Sequence, residues 1–174
     1  NCYLTEKAVA TFNCFPHLDN LTLVDTEISG AGIAKFKRLR QLDTLTANDV
    51  TNPSVFLTKL SGQSQLRSLS LKNAGLMDND LKLIAKIANL RDLTIGGNRE
   101  ITNQGLAYLA DAKELRKLQI KHIPIKPGCA EVLAKIKGLT LLLASPRSFS
   151  DAEVSALQRA LPECKIDFGE SEGE

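Results

Sequence analysis

The residues of this 174-residue chain form no convincing constellation for acid–base or nucleophilic catalysis. The two histidines are His17, in the segment FPHL, and His122, in the segment IKHIPI. Neither histidine stands beside a serine or cysteine in a recognisable nucleophile motif, which covalent catalysis would require. We therefore predict no catalytic residue and a protein that is not an enzyme.

The four cysteines, at positions 2, 14, 129 and 164, contain no C-x-x-C pair. Neither histidine lies at metal-ligand spacing from a cysteine, so we predict no metal and no cofactor. Cys164 occupies an apolar strand position and Cys14 stands between two phenylalanines, which favours buried free thiols. The alternative for the first two is a Cys2–Cys14 bridge, which stays open if the protein is extracytoplasmic.

Two further motifs have a structural interpretation. Gly96 and Gly97, in the segment IGGN, lack the Lys-Ser/Thr that follows a phosphate-binding loop, so we predict the small end of a strand before a bend. Asp78 and Asp80 precede a helical pattern, and we interpret them as capping charges.

A leucine pattern that recurs about every 24 residues defines the elements that must position any functional side chain. The pattern begins at Leu18, Leu42, Leu66, Leu90, Leu115 and Leu139, which are 24, 24, 24, 25 and 24 residues apart. Each unit has apolar residues at relative positions 1, 4 and 6, and again near 11, 16, 19 and 22. A constant period of this length is typical of one supersecondary unit stacked several times, and it predicts a solenoid.

Each unit combines a strand pattern with a helix pattern. In the first full unit, LDNLTLVD alternates like a short strand with one buried face. The small segment ISGAG predicts a bend, and Ile33, Phe36 and Leu39 then recur every three residues, as in a short packed helix. The second unit departs from this pattern at Asn52, which Pro53 follows, so we expect an irregular turn there.

The ends of the chain depart from the full unit. Leu4, Val9, Phe12 and Phe15 match the second half of a unit, so its strand would lie before Asn1. We expect a truncated first repeat in a longer protein, in which an upstream domain of the same chain covers that repeat. We predict one repeat domain over 1–168, with about six to seven repeats, and an acidic disordered tail over 169–174.

Residues 4–168 resemble the leucine-rich repeat family. The segments LDNLTLVDTEISGAGIAKFKRL, LRSLSLKNAGLMDNDLKLIAKI and LRDLTIGGNREITNQGLAYLADA follow the pattern LxxLxLxx(T/N/C)x(I/L)(T/S)xxG(L/I)xxLxxL. The ISGAGI and ITNQGL segments look like bacterial repeats, similar to the GALA-type arrays of secreted effectors. The resemblance implies a right-handed α/β horseshoe, with a parallel sheet of about seven strands on its concave side and helices on its convex side. It also implies a protein or peptide partner.

Composition excludes other classes of partner. The chain is 43% hydrophobic and 24% charged, which suits a soluble folded domain. Its 22 basic and 20 acidic residues give a formal charge of +2, which is too balanced to indicate nucleic acid or an anionic membrane. No apolar run approaches the roughly 20 residues that a spanning helix needs, so we predict no membrane insertion.

The outward face of the predicted strands is the candidate binding surface, because alternate residues of a strand point away from the core. We predict that partner-binding residues are Asp25, Thr46, Asp49, Ser70, Lys72, Thr94, Lys117, Gln119, Lys121, His122, Leu141 and Leu143. This set combines a middle column of hydroxyl and amide residues, acids toward the amino end, bases later in the chain, and two exposed leucines. Hydroxyl residues also suit any solvated strand, so the pattern alone does not separate a binding groove from an ordinary sheet face.

Three function hypotheses follow from these patterns. The first is a non-enzymatic protein-interaction module that uses the concave strand face. The second is the recognition domain of a larger enzyme or secreted effector whose upstream domain is missing. The third and weakest is an intrinsic hydrolase activity that depends on His122.

Overall fold

The computed structural model describes residue 5 and residues 7–169. Its strands form one parallel sheet in sequence order, as expected when each repeat adds one strand beside the last. The strands are β1 (Asn20–Leu23), β2 (Thr44–Ala47), β3 (Ser68–Ser70), β4 (Asp92–Thr94), β5 (Lys117–Gln119), β6 (Leu141–Leu143) and β7 (Lys165–Asp167). This is the sheet of about seven strands that the repeat pattern predicts.

The pairing register follows the 24-residue period. Leu69 of β3 pairs with Leu45 of β2 on one side and with Leu93 of β4 on the other. All three side chains are at most 1% exposed. Because the period equals the offset between paired residues, equivalent positions of successive repeats stack directly above one another.

One helix precedes β1 and one follows each of β1 to β6, on the buried side of the sheet. The helices are α1 (Ala8–Phe12), α2 (Gly30–Ala34), α3 (Ser54–Leu60), α4 (Asp78–Ile84), α5 (Asn103–Tyr108), α6 (Cys129–Leu133) and α7 (Asp151–Ala160). Short 3₁₀ turns occupy Leu39–Gln41 and Leu109–Asp111. Neighbouring helices pack side by side, so the helices form the convex layer of a right-handed α/β solenoid.

Local chemistry explains where several helices begin. Ser29 accepts a hydrogen bond from the Gly32 N–H and begins α2. Thr102 caps α5 in the same way, through the Gln104 N–H. Ser150 and Glu153 form a reciprocal capping box at the start of α7.

One continuous hydrophobic core runs along the stack. The leucines that open successive units, Leu42, Leu66, Leu90, Leu115 and Leu139, are at most 2% exposed. Leu18, which opens the first full unit, is half-buried and packs against the same core. The predicted stacked architecture is therefore confirmed.

The amino-terminal region differs in part from the prediction. Val9 is buried in the core and Phe12 is half-buried, as the half-unit pattern predicts. Phe15 is wrong as a core position, because it is 54% exposed. It lies in the turn after α1, where the chain has already left the helix that faces the core. Leu4 lies outside the described residues, as do residues 170–174 of the predicted tail.

The cysteines divide into two groups. Cys129 and Cys164 are buried free thiols, as predicted. Cys14 is exposed, so its prediction as a buried thiol is wrong; like Phe15, it lies in the turn that follows α1. Cys2 lies outside the described residues, and Cys14 is a free thiol in this structure, which does not support the alternative Cys2–Cys14 bridge.

The structure also tests two local predictions: the irregular turn at Asn52 and the capping charges at the start of α4. Asn52 has a φ of 52°, which makes the left-handed turn expected before Pro53. Asp80 accepts a hydrogen bond from the Met77 N–H and caps α4, as predicted. Asp78 instead accepts hydrogen bonds from the N–H and hydroxyl of Thr102, at 2.8 and 2.6 Å, and so ties α4 to the start of α5.

Candidate binding surface

The outward residues of the seven strands form the concave face, and their middle column is continuous. Thr22, Thr46, Ser70, Thr94 and Gln119 occupy paired positions on successive strands, as the repeat spacing predicts. Thr22 is exposed, and the other four are half-buried. Leu143 and Asp167 continue the column on β6 and β7. The structure therefore brings the predicted Thr46, Ser70, Thr94 and Gln119 into one row of hydroxyl and amide groups.

The predicted separation of charges along the face is incomplete. Asp92 pairs directly with Lys117 across β4 and β5, so an acid and a base are immediate neighbours in the middle of the sheet. Lys117 is half-buried and Asp92 is exposed. Asp25 and Asp49 are exposed near the amino-terminal strands, and Lys72 is exposed after β3. The separation of acidic from basic residues along the face is therefore found mainly among the residues that follow the strands.

A recurring left-handed residue follows the strands. Backbone φ values between 51° and 77° occur at Asp25, Asp49, Asn73, Gly97, His122 and Arg147. These positions are 24 or 25 residues apart, and most carry residue types that tolerate this conformation. The predicted site residues Asp25, Asp49 and His122 therefore lie in the turns at the carboxyl ends of the strands, and not on the strands themselves.

Hydrogen bonds between repeats hold these turns in place. The N–H groups of Asp49, Asn73 and Gly97 donate to carbonyl oxygens of the next repeat, at 2.8, 3.0 and 2.9 Å. The His122 N–H donates instead to the Ser145 hydroxyl, at 2.7 Å. Because these hydrogen bonds to the next repeat hold the turns in place, the backbone positions of the neighbouring side chains are well defined.

A buried asparagine supports the turns at the carboxyl ends of the strands; it occupies the polar position of the repeat pattern, but it was not predicted to be a site residue. Asn98 is 1% exposed, and its Oδ1 accepts from the N–H groups of Ala74 and Leu76, at 2.9 and 3.0 Å. Its Nδ2 donates to the carbonyls of Leu71 and Ile95, at 2.8 and 2.7 Å. The signal in the sequence was an amide where the repeat pattern allows a polar residue. Its neighbours in that column are mostly apolar, so the pattern did not reveal its role.

A hollow of about 230 Å³ lies at the carboxyl ends of β3, β4 and β5. It is lined by Lys72, Asn73, Gly96, Gly97, Gln119, Lys121 and His122. Four predicted site residues, Lys72, Gln119, Lys121 and His122, thus meet around one depression. These lining residues include two lysines and a histidine but no carboxylate.

The two glycines allow close packing in the turn after β4. A Cβ atom on Gly96 would lie 2.8 Å from the Lys121 carbonyl oxygen. One on Gly97, whose φ is 77°, would overlap the side-chain oxygen of Asn73. Gly96 and Gly97 therefore lie in the turn after β4, slightly beyond the strand end that was predicted for them, and there the Lys121 backbone and the Asn73 side chain approach too closely for a Cβ atom.

Lys121 also reaches toward the last strand. Its Nζ would lie 2.5 Å from a Cβ atom on Gly169, so the side chain passes close to that backbone. The pKa of Asp167 is lowered, first by the Gly169 N–H that donates to it and also by the positive charges of Lys165 and Lys121. An ionised Asp167 therefore offsets part of the Lys121 charge on the side away from Lys72.

The apolar spot predicted at Leu141 and Leu143 is less exposed than expected. Both side chains are half-buried. Leu141 pairs with Lys117 and Lys165, and Leu143 pairs with Gln119 and Asp167, so polar or charged side chains flank both leucines. The leucines thus form a shallow apolar platform between polar and charged neighbours.

The described residues contain few groups suited to other chemistry. Residue 5 and residues 7–169 hold no cluster of three His, Cys, Asp or Glu side chains that could bind a metal ion. Burial, reinforced by the negative charge of Glu153, raises the pKa of Cys129 to about 12, which disfavours the reactive thiolate. Within the same residues, no helix has the length and apolar character needed to cross a membrane.

Comparison with known proteins shows the fold. No protein-family model matches this chain, and no curated protein matches it in sequence. Among solved structures it is similar to the C-terminal domain of a tropomodulin from Caenorhabditis elegans, with a TM-score of 0.54. The fold is a leucine-rich-repeat solenoid.

The tropomodulin similarity covers 91% of each chain at 14% sequence identity. Identity this low supports a shared architecture and carries no partner or activity from one protein to the other. The GALA-type bacterial subclass that the ISGAGI and ITNQGL segments suggest stays a prediction.

Proposed function

We propose that this leucine-rich-repeat solenoid is a non-enzymatic interaction module that binds a protein or peptide on its concave face. The observation that carries the proposal is the register of the sheet. Seven strands place their outward side chains in straight columns, while the alternate side chains are buried in one core. A partner therefore meets a continuous surface built on rigid elements.

The physical argument is preorganisation. Binding costs less when the contacting side chains are already held in place, because fewer rotamers and loops must be ordered. The Ser70 hydroxyl donates to the Asn48 side chain at 2.9 Å, and the turns beyond the strands bond to the next repeat. Such fixed polar groups suit recognition of a partner backbone or side chains.

The same face would serve as the recognition part of a larger enzyme or secreted effector, which is the second function hypothesis. In that case the concave face selects the partner and a different part of the protein acts on it. The two hypotheses predict the same surface, and the domain content of the full gene product would distinguish them.

An affinity pull-down tests the surface directly. The double variant Lys121→Glu, Leu143→Asp places negative charge beside the hollow and on the apolar platform, while both positions stay on the outward face. We expect it to lose the partners that wild-type protein captures, as measured by quantitative mass spectrometry of the eluates.

The matched control makes the same chemical changes on the convex side. Lys135 is exposed after α6, and Val55 is 46% exposed on α3. The Lys135→Glu, Val55→Asp variant should retain every captured partner. Equal recovery of all ligands by both double variants would show that the concave face is not the binding surface.

A further inference from the structure

Among the described residues, strand β7 has a neighbouring strand on one side only. Its Lys165 N–H donates to the Thr140 carbonyl at 2.8 Å. Its Asp167 carbonyl accepts from the Ala144 N–H at 3.0 Å. Successive residues of a strand direct their backbone groups to opposite sides, so the N–H and C=O of Ile166 point away from β6. These two groups form an edge on which another strand can pair.

The core side of this edge is covered less completely than the rest of the sheet. Ile166 is half-buried, whereas Leu142, the core residue that pairs with it on β6, is fully buried. Phe168, just after β7, is also half-buried, although its ring packs against Phe149 with centroids 6.4 Å apart. A strand added beside β7 would therefore bury apolar surface and also satisfy backbone groups.

The outward face of β7 carries opposite charges on the two sides of Ile166. The side chains of Lys165 and Asp167 are 75% and 36% exposed. In an antiparallel pair of two copies centred on Ile166, Lys165 lies opposite the partner's Asp167, and Asp167 lies opposite the partner's Lys165. Opposite charges directly across an antiparallel pair are favourable, whereas parallel pairing in register would place like charges side by side. The edge is therefore complementary to a second copy of itself.

The contacts of these two charges within one chain leave them able to pair across the edge. The Lys165 Nζ lies 3.7 Å from the Asp167 Oδ2, which is a long ion pair between exposed groups and contributes little. The Gly169 N–H donates to the Asp167 Oδ1 at 2.8 Å and so holds the carboxylate in place. Exchanging the long ion pair for one with a second copy therefore costs little.

We propose that β7 pairs with β7 of a second copy of this chain, in the antiparallel register centred on Ile166. The two Ile166 residues then exchange two backbone hydrogen bonds, because the free groups of each point at the other copy. Directly opposite residues lie on the same face of a sheet, so the two isoleucines meet on the core side. The two concave faces then lie on one side of a single sheet of twice seven strands.

Sedimentation velocity of the 174-residue protein, from about 1 µM to about 1 mM, measures the association. We expect a reversible monomer–dimer equilibrium with a Kd inside this range, because the edge of one short strand makes a small interface. A protein that stays monomeric at every concentration overturns the proposal. Growth beyond a dimer also overturns it, because open-ended assemblies form when one end of the stack pairs with the opposite end of the next copy.

Charge reversal tests the register. Lys165→Asp places acids opposite acids, and Asp167→Lys places bases opposite bases, so each variant should dimerise about tenfold more weakly than wild type. A mixture of the two variants should form a heterodimer about as tightly as wild type dimerises, since every opposed pair again has opposite signs. Lys86→Asp makes the same reversal at an exposed position after α4 and should dimerise as wild type does. A mixture that stays monomeric, or single variants that dimerise like wild type, overturns the register.

Hydrogen exchange distinguishes pairing between copies from cover of the edge within one chain. The Ile166 amide should exchange rapidly in dilute protein and become protected as the concentration rises through the Kd. An Ile166 amide that is protected equally at every concentration would overturn the proposal. The surface proposed above for partner binding is tested through Lys121 and Leu143, which do not belong to this edge, so a monomeric protein would leave that function unchanged.

Discussion

At the scale of single residues, the buried amide of Asn98 holds the turns that follow β3 and β4 at the edge of the binding surface. It lies between two repeats and meets the backbone of both, with four hydrogen bonds of 2.7 to 3.0 Å. A buried polar group is costly unless all its partners are present, and here the partners are backbone groups that have no alternative. The turn that carries Asn73 and Gly75 therefore depends on a side chain from the following repeat.

Replacing Asn98 by Ala should lower the free energy of unfolding by about 3 kcal/mol or more, because several buried backbone groups lose their partners at about 1–3 kcal/mol each. Urea denaturation measures the loss. Asn89→Ala is the matched control: Asn89 is exposed and donates to the Ser64 carbonyl at 2.8 Å, and its replacement should cost well under about 1 kcal/mol. Similar losses in the two variants would contradict the role of Asn98.

At the scale of elements, α7 closes the described stack and depends on its capping box. The Glu153 carboxylate accepts from the Ser150 N–H at 3.0 Å and from the Ser150 hydroxyl at 2.9 Å. It also accepts from the Gly128 N–H, at 3.4 Å, which links α7 to the start of α6. Phe149, just before the helix, packs against Phe168 just after β7, with ring centroids 6.4 Å apart. The amino end of α7 is therefore attached to both the preceding repeat and the last strand.

The hydrogen bonds from Ser150 lower the pKa of Glu153 below its ordinary value of 4.5. Because the folded pKa is the lower one, the ionised side chain stabilises the fold at pH values above 4.5, and this contribution is lost as the pH falls through the folded pKa. Glu153→Ala should therefore be less stable than wild type at pH 7, with the difference shrinking as the pH is lowered from about 5 to about 3.

Thermal unfolding at a series of pH values, followed by circular dichroism, measures this difference. Glu153→Gln is the control, because it keeps an acceptor at the same place without an ionisable proton. The stability difference between the Gln and Ala variants should not change with pH over that range. A wild-type advantage over Ala that stays constant down to pH 3 would show that ionised Glu153 is not what stabilises α7.

At the scale of the whole molecule, stability comes from stacking. Each repeat buries its apolar side chains against its neighbours, so no repeat has a complete core of its own. A defect in the middle should therefore disturb both halves of the array, whereas a change on an outward side chain should remain local.

Leu93 lies in the central strand β4 and is fully buried. Leu93→Asp places an unpaired charge in that core at a cost of several kcal/mol, and we expect loss of the native circular dichroism spectrum or a melting temperature lower by roughly 10 °C or more. Thr94→Asp, one residue further on the outward face, should melt within a few degrees of wild type. A Leu93→Asp variant that melts like wild type would contradict the shared core.

The repeat period was sufficient to predict the fold, because it acts on every unit in the same way. Burial of equivalent leucines forces them into one column, and a strand of alternating residues then has only one face left for solvent. The middle column from Thr22 to Gln119 follows from that argument alone, and the structure confirms it. The burial predicted for Phe15 and Cys14 is wrong because both lie in the turn between α1 and the first full unit, where the path of that turn decides burial.

Only the folded chain shows which outward residues meet. The hollow is lined by both Lys72 and Lys121, which are 49 positions apart, and the turn at its base depends on two glycines that leave room for the Lys121 backbone and the Asn73 side chain. The left-handed conformation at Asp25, Asp49, Asn73 and Gly97 was not predicted, although these residue types tolerate positive φ, and the hydrogen bonds of these turns to the next repeat are seen only in the structure. Periodicity determines which side of the sheet a side chain occupies, whereas distances between neighbouring turns depend on three-dimensional packing that no one-dimensional pattern contains.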